Sequence, residues 1–177
     1  LTADQLALCE RQGKETAEAL GKTLSAQLQG ALASGDVVQA ITVCQTAAQP
    51  ITMATGQERP GVSVRRTSLK YRNPKNAPDA LDREVLESWQ SSSNGAETLV
   101  RQTGPTMARY YAPILVKEAC LKCHGPKESR SSEVTKLLNT LYPNDLAHGY
   151  SVDDLRGAFR VDIDLTKATP SPNSNKP

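Results

Sequence analysis

The stretch that decides the fold is Gly157–Leu165, "GAFRVDIDL". Phe159, Val161, Ile163 and Leu165 alternate with Arg160, Asp162 and Asp164. A period of two places the apolar set on one face of a strand and the charged set on the other. Such alternation predicts an antiparallel sheet with one packed and one wet face. Upstream, "GVSVRRTS" (Gly61–Ser68) is β-branched and alternating and reads as a second strand. "LVRQTG" and "TMARYYAPILV" read as two more, joined as a hairpin around Gly104-Pro105.

Helices surround these strands. "TADQ" sets Thr2 and Gln5 in capping-box relation, opening a long helix over residues 2–33. Leu20, Leu24, Leu28 and Leu32 recur every four residues, and Gly13 and Ala17 extend the row. "SGD" (34–36) breaks it, and Asp36 is a good N-cap for a second helix, "VVQAITVCQTAAQ". Proline lacks an amide hydrogen, so this helix is expected to stop near Pro50. The short connection predicts an antiparallel helical hairpin. "PDALDREVLESWQ" predicts a helix turning Leu81, Val85, Leu86 and Trp89 inward, and "SSEVTKLLNTLYP" a shorter one. The fold class is therefore α+β: an N-terminal helical hairpin over 1–50, a mainly antiparallel sheet flanked by helices over 51–168, and a disordered tail over 169–177.

Composition narrows the function. The 177 residues carry 38% hydrophobic and 23% charged side chains with a net charge of +2. Basic residues are scattered apart from Arg65, Arg66, Lys70 and Arg72, so no nucleic-acid stripe is present. No apolar run approaches the roughly 20 residues of a membrane span. No nucleophile–base arrangement suggests an enzyme. Aromatic residues are only 4%, with one Trp and one Phe, and a large bound cofactor would replace some of the missing core.

The chemistry is concentrated in "KEACLKCHGPKE". Cys120, Cys123 and His124 form Cys-x-x-Cys-His, the spacing that attaches c-type haem. Two thiols bond the two vinyl groups on one edge of a single porphyrin. The adjoining imidazole reaches the iron as an axial ligand. A structural zinc site would need a second ligand pair at familiar spacing, and Cys9 and Cys44 do not provide one. Haem attachment takes place outside the cytoplasm, which implies the periplasm or thylakoid lumen and a targeting segment absent from this chain.

The sixth iron position has several candidates: Met53, Met107, His148, Cys44, a lysine or water. Both Met precede the motif, unlike the usual Met-ligated carrier, and His148 lies in a polar loop. Cys44 shares a helix face with Val37, Ala40, Ile41 and Ala47/Ala48 and is expected to point into the core. Reach along an unbroken first helix argues against a Cys9–Cys44 disulfide. At about 1.5 Å rise per residue the two lie about 25 Å apart along the hairpin, against the roughly 7 Å limit for bridged Cα atoms. Haem propionates need basic donors, and Arg66, which shares parity with Val62 and Val64, and Arg72 are the candidates.

"RRTSLKYRNPKNAPDALDREVL", "YYAPILVKEACLKCHG" and "YPNDLAHGYSVDDLRGAFRVDI" resemble a family of bacterial c-type haem-binding sensor domains, across most of residues 36–165. Those domains have a PAS-like fold and serve as extracytoplasmic input modules of histidine kinases and chemoreceptors. The chain is most similar to the stand-alone soluble cyanobacterial type. The resemblance implies axial ligation by His124 and, within "AITVCQTAA", Cys44. It implies a redox or diatomic-gas sensor working with a signalling protein, an electron-transfer cytochrome being the alternative. One departure stands out: the family often has Gly before the Asp of "GDLRG", where this chain has Asp153-Asp154.

Overall fold

The structure is a computed structural model describing residues 1–33 and 37–168. The predicted Asp36 cap and the predicted disordered tail lie outside the described residues. Helices α1 (Ala3–Ala33) and α2 (Val37–Gln57) form the hairpin. Strands β1 (Val62–Thr67), β2 (Leu99–Gln102), β3 (Met107–Leu115) and β4 (Leu155–Asp164) form one antiparallel sheet in the order β1-β4-β3-β2. Helix α3 (Ala80–Ser91) lies between β1 and β2 in sequence. Helices α4 (Leu121–His124) and α5 (Ser132–Leu141) follow β3. The α+β class, the hairpin and all four strands agree with the sequence reading.

The capping box at the start of α1 is formed. The Thr2 amide donates to Gln5 Oε1 at 2.9 Å, and the Gln5 amide donates to Thr2 Oγ1 at 3.2 Å. Helix α1 crosses the sheet with Cys9, Gly13, Ala17 and Leu20 buried. They pack with Val62, Val64, Ala108, Tyr110, Val161 and Ile163 in one core. Cys9 is fully buried here as a free thiol. Helix α2 does not stop at Pro50 but continues to Gln57. Proline removes only one intrahelical hydrogen bond, and the turns beyond it are held by burial of Thr52, Thr55 and Gly56.

The charged face of β4 is not wet. Helix α3 covers it, packing Val85, Leu86 and Trp89 on Tyr111 and Ala158. Arg160 is 9% exposed and Asp82 is fully buried. Arg160 Nη1 reaches Asp82 Oδ2 at 3.2 Å and Asp79 Oδ2 at 2.9 Å, and its Nε reaches Asp162 Oδ2 at 2.9 Å. Tyr111 donates its hydroxyl to Asp82 Oδ1 at 2.8 Å. Alternation reports charge, not exposure, so a satisfied ion network reads in sequence as a solvated face.

Asp153, at the departure noted above, has φ 67°. This left-handed conformation favours glycine, and Asp tolerates it better than most residues. The turn it forms is tied to the end of β3: the Val116 amide donates to Asp154 O and the Asp153 amide to Val116 O, each at 2.9 Å.

Two helix glycines give opposite expectations. A Cβ at Gly13 would lie 2.2 Å from Tyr110 Cγ, whereas one at Gly30 would meet nothing within 4 Å. Gly13→Ala should lose about 1–3 kcal/mol from overpacking, less the helix-propensity gain. Gly30→Ala should gain about 0.5–1 kcal/mol. Urea unfolding of the two variants checks the signs.

Candidate functional site

One cavity of about 480 Å³ lies between the hairpin and the sheet, and it is lined by Cys44, Cys120, Cys123, His124, Arg66 and Arg72. This volume is within the roughly 300–1,000 Å³ usual for small-molecule and cofactor sites. Its apolar walls include Leu24, Leu28 and Leu32 of α1, Ile41 and Ala47 of α2, Ile114 of β3 and Phe159 of β4. Beyond Leu20, the Leu24, Leu28 and Leu32 row of α1 thus lines the cavity, with Leu24 also touching the edge of the core.

The motif residues are fixed by backbone pairing. Val116 leads into a turn in which the Cys120 amide donates to Lys117 O at 2.8 Å, and α4 follows. The Tyr150 amide donates to His124 O at 3.1 Å and the Gly149 amide to Gly125 O at 2.9 Å. The loop 145–154 therefore wraps the motif. His124 Nδ1 lies 2.8 Å from Ala147 O. A carbonyl only accepts, so Nδ1 carries the proton and Nε2 keeps its lone pair. Burial, with the charges of Arg156, Arg72 and Arg130, holds His124 well below the usual imidazole range. The ring is therefore neutral at pH 7.

Cys44 is not enclosed in a packed core as expected. It is exposed by surface area because its helix face looks onto the cavity. Burial pushes its thiol upward, and Arg66 and Arg72 pull against that shift. The other candidates for a ligand opposite His124 are elsewhere. Met53 is 64% exposed. Among the described residues, neither Met107 nor His148 lines the cavity; the His148 carbonyl accepts from Lys70 Nζ.

The arginines divide by partner. Arg66 faces the cavity, as its parity indicated, and its buried Nε has no hydrogen-bond partner among the described residues. Arg72 Nη2 is shared among Cys123 O at 2.7 Å, Asp145 Oδ2 at 3.1 Å and Ala147 O at 3.3 Å. Arg156 also lines the cavity, where it donates to Ser68 Oγ at 2.8 Å and Lys70 O at 3.1 Å. Its guanidinium lies 5.5 Å from the Tyr150 ring centroid. Neither Arg66 nor Arg156 has a carboxylate partner among the described residues.

Sequence reasoning missed Arg156 for a structural reason. Strict alternation from Arg160 would turn it toward α3. Ile114 pairs with Gly157 but Leu115 with Leu155, so Arg156 is the extra residue of a β-bulge. A bulge re-aims a side chain, here toward the cavity. Gly157 permits this tight passage, since a Cβ there would lie 2.3 Å from Thr67 O.

Fold and site together define an α+β protein in which a Cys-x-x-Cys-His segment and an upstream cysteine share one cavity. The chain belongs to the Tll0287-like family, whose model matches residues 5–164. Among solved structures it is similar to the cyanobacterial heme-protein Tll0287. The identity is 27%, the match covers 90% of this chain and 98% of that one, and the TM-score is 0.59. No curated protein matches the chain significantly.

Asp145 supplies a pH test. Burial alone would raise its carboxyl, but the hydrogen bond and charge of Arg72, the Ala147 amide and Arg130 hold it below the usual range. A depressed carboxylate stabilises the fold above its unfolded value of about 3.9, and that contribution is lost as pH falls through the folded value. Asp145→Asn should cost about 3 kcal/mol near neutrality, as removal of one partner of a buried pair does. The gap from wild type should close below about pH 4 in denaturation curves across pH.

Proposed function

We propose that the chain binds one c-type haem in this cavity, attached through Cys120 and Cys123 with His124 and Cys44 as axial ligands. It acts as a non-catalytic sensor of redox state or of a diatomic gas. The observation that carries this reading is that Cys44, on the hairpin, lines the same cavity as Cys120, Cys123 and His124.

The residues present suit haem. The apolar walls match a porphyrin face. Among the described residues Arg66 and Arg156 are two half-buried cations without carboxylate partners, a costly arrangement unless an anion joins them, and haem brings two propionates. Bound there, haem would supply a one-electron couple and an iron site for a diatomic ligand. His124 offers Nε2 from a ring oriented by Ala147 O. Cys44 would give up its proton to act as a ligand, and Arg66, whose charge opposes the upward shift of the thiol most strongly, would stabilise the thiolate. Leu24, Leu28 and Phe159 would give a porphyrin an apolar surface to pack on. Arg72, which also lines the cavity, holds the motif to the 145–147 loop through Nη2.

Sensing is favoured over electron carriage because neither Met lines the cavity among the described residues. A ligand from α2 also ties the hairpin to the sheet, so a change at Cys44 would be felt in the packing of α1 and α2. The signal would pass to a separate signalling protein. Covalent haem attachment takes place outside the cytoplasm, which supports the periplasm or thylakoid lumen as its place.

Absorption spectra in both oxidation states test the ligands. Wild type should show c-type haem with a thiolate-ligated ferric form, and Cys44→Ala should change that spectrum and raise the reduction potential. An unchanged spectrum and potential would remove Cys44 from the iron. Carbon monoxide binding to the ferrous protein should accompany sensing; its absence, with fast electron exchange, would favour a carrier. Arg66→Met should stabilise haem-free protein by about 1 kcal/mol, since a half-buried charge whose Nε has no partner among the described residues is removed. It should destabilise the haem-loaded form, and denaturation of both forms reads the two signs.

A further inference from the structure

The carbonyl of Ala147 is a meeting point. It accepts from His124 Nδ1 at 2.8 Å, from Arg72 Nη2 at 3.3 Å and, at the limit of a hydrogen bond, from Arg130 Nη2 at 3.5 Å. The amide of the same residue donates to Asp145 Oδ1 at 2.8 Å. Asp145 Oδ2 in turn lies 3.1 Å from Arg72 and 3.9 Å from Arg130. All three charged side chains are largely shielded from water, with 14% of Arg72, 3% of Arg130 and 8% of Asp145 exposed. The group carries two cations and one anion, and it touches the imidazole through a single carbonyl.

That wiring has a chemical consequence. A carbonyl that accepts from an imidazole N–H raises the electron-donating power of the other ring nitrogen. A carbonyl already drawn on by guanidinium N–H groups has less density to give. The imidazole behind it is then the weaker donor. Asp145 works in the opposite sense, because it offsets the guanidinium charge. Low exposure keeps these effects from being screened.

We propose that Arg72 and Asp145 are opposed positioning residues for His124, which act through the Ala147 carbonyl to set the donor strength of Nε2 and so the reduction potential of the bound haem. This rests on His124 being the ligand, as proposed above. Through this carbonyl, Arg72 disfavours the ferric state, and Asp145 favours it.

Redox titration of the haem-loaded protein tests the assignment. Arg72→Gln should lower the ferrous-to-ferric ratio at a fixed ambient potential about tenfold, a shift of about 59 mV for one electron. Asp145→Asn should move the potential the other way. Arg72→Lys, which keeps charge but loses the fork, should fall between wild type and Arg72→Gln. A purely structural brace would lose stability in every variant without opposite shifts. Shifts of the same sign in Arg72→Gln and Asp145→Asn, or none in either, overturn the proposal. Should Arg72→Gln fail to fold, Arg130→Gln takes its place with the same expected sign. His124→Ala separates the two layers. If its spectrum equals that of wild type, the ligand reading itself fails and this proposal with it. If the spectrum changes but the opposite shifts are missing, only this proposal falls.

Discussion

The contact on which the architecture depends is the close approach of α1 to the sheet at Gly13. The Tyr110 ring occupies the space where a side chain would stand. With the helix seated there, Cys9, Ala17 and Leu20 reach the β1, β3 and β4 side chains and close one core. The same helix then runs on beyond the part of the sheet that it covers. Leu24, Leu28 and Leu32 face a cavity, with α2 beside them. A tight contact at one end and an open one at the other make room for a ligand of cofactor size without loosening the fold.

The sheet has two faces with different tasks. One is shared between the hairpin core and the cavity. The other is covered by α3 and held by Arg160, Arg109, Asp79, Asp82 and Asp162. Arg109 adds contacts of 2.9 Å to Asp79 and 2.8 Å to Asp162. Removing one member of such a network would strand its partner in a low-dielectric setting. The network therefore fixes the central strand, and the central strand carries the bulge that turns Arg156 to the cavity.

The site contains several cations, and they are not equivalent. Arg72 and Arg130 share Asp145 and organise the loop behind His124. Among the described residues, Arg66 and Arg156 have no such partner, and both face the cavity. A positive cavity wall beside a thiol and a neutral imidazole suits an anionic ligand that also offers a metal. The charge balance and the ligand set point to the same occupant.

The sequence by itself determined the elements and the chemical motif. Periodicity is local, so four strands, the helical hairpin, α3 and α5 were legible, as was Cys-x-x-Cys-His, whose meaning lies in contiguous spacing. The parity of Arg66 was legible for the same reason. Tertiary structure decided everything that depends on what covers a face. Only packing shows that the charged side of β4 is buried, that α2 survives Pro50 and that Cys44 meets a cavity instead of a core. The roles of Arg156 and Asp145 were hidden as well. One depends on a single extra residue in a strand pairing, and the other on a loop folding back over the motif. Neither leaves a periodic trace in the chain.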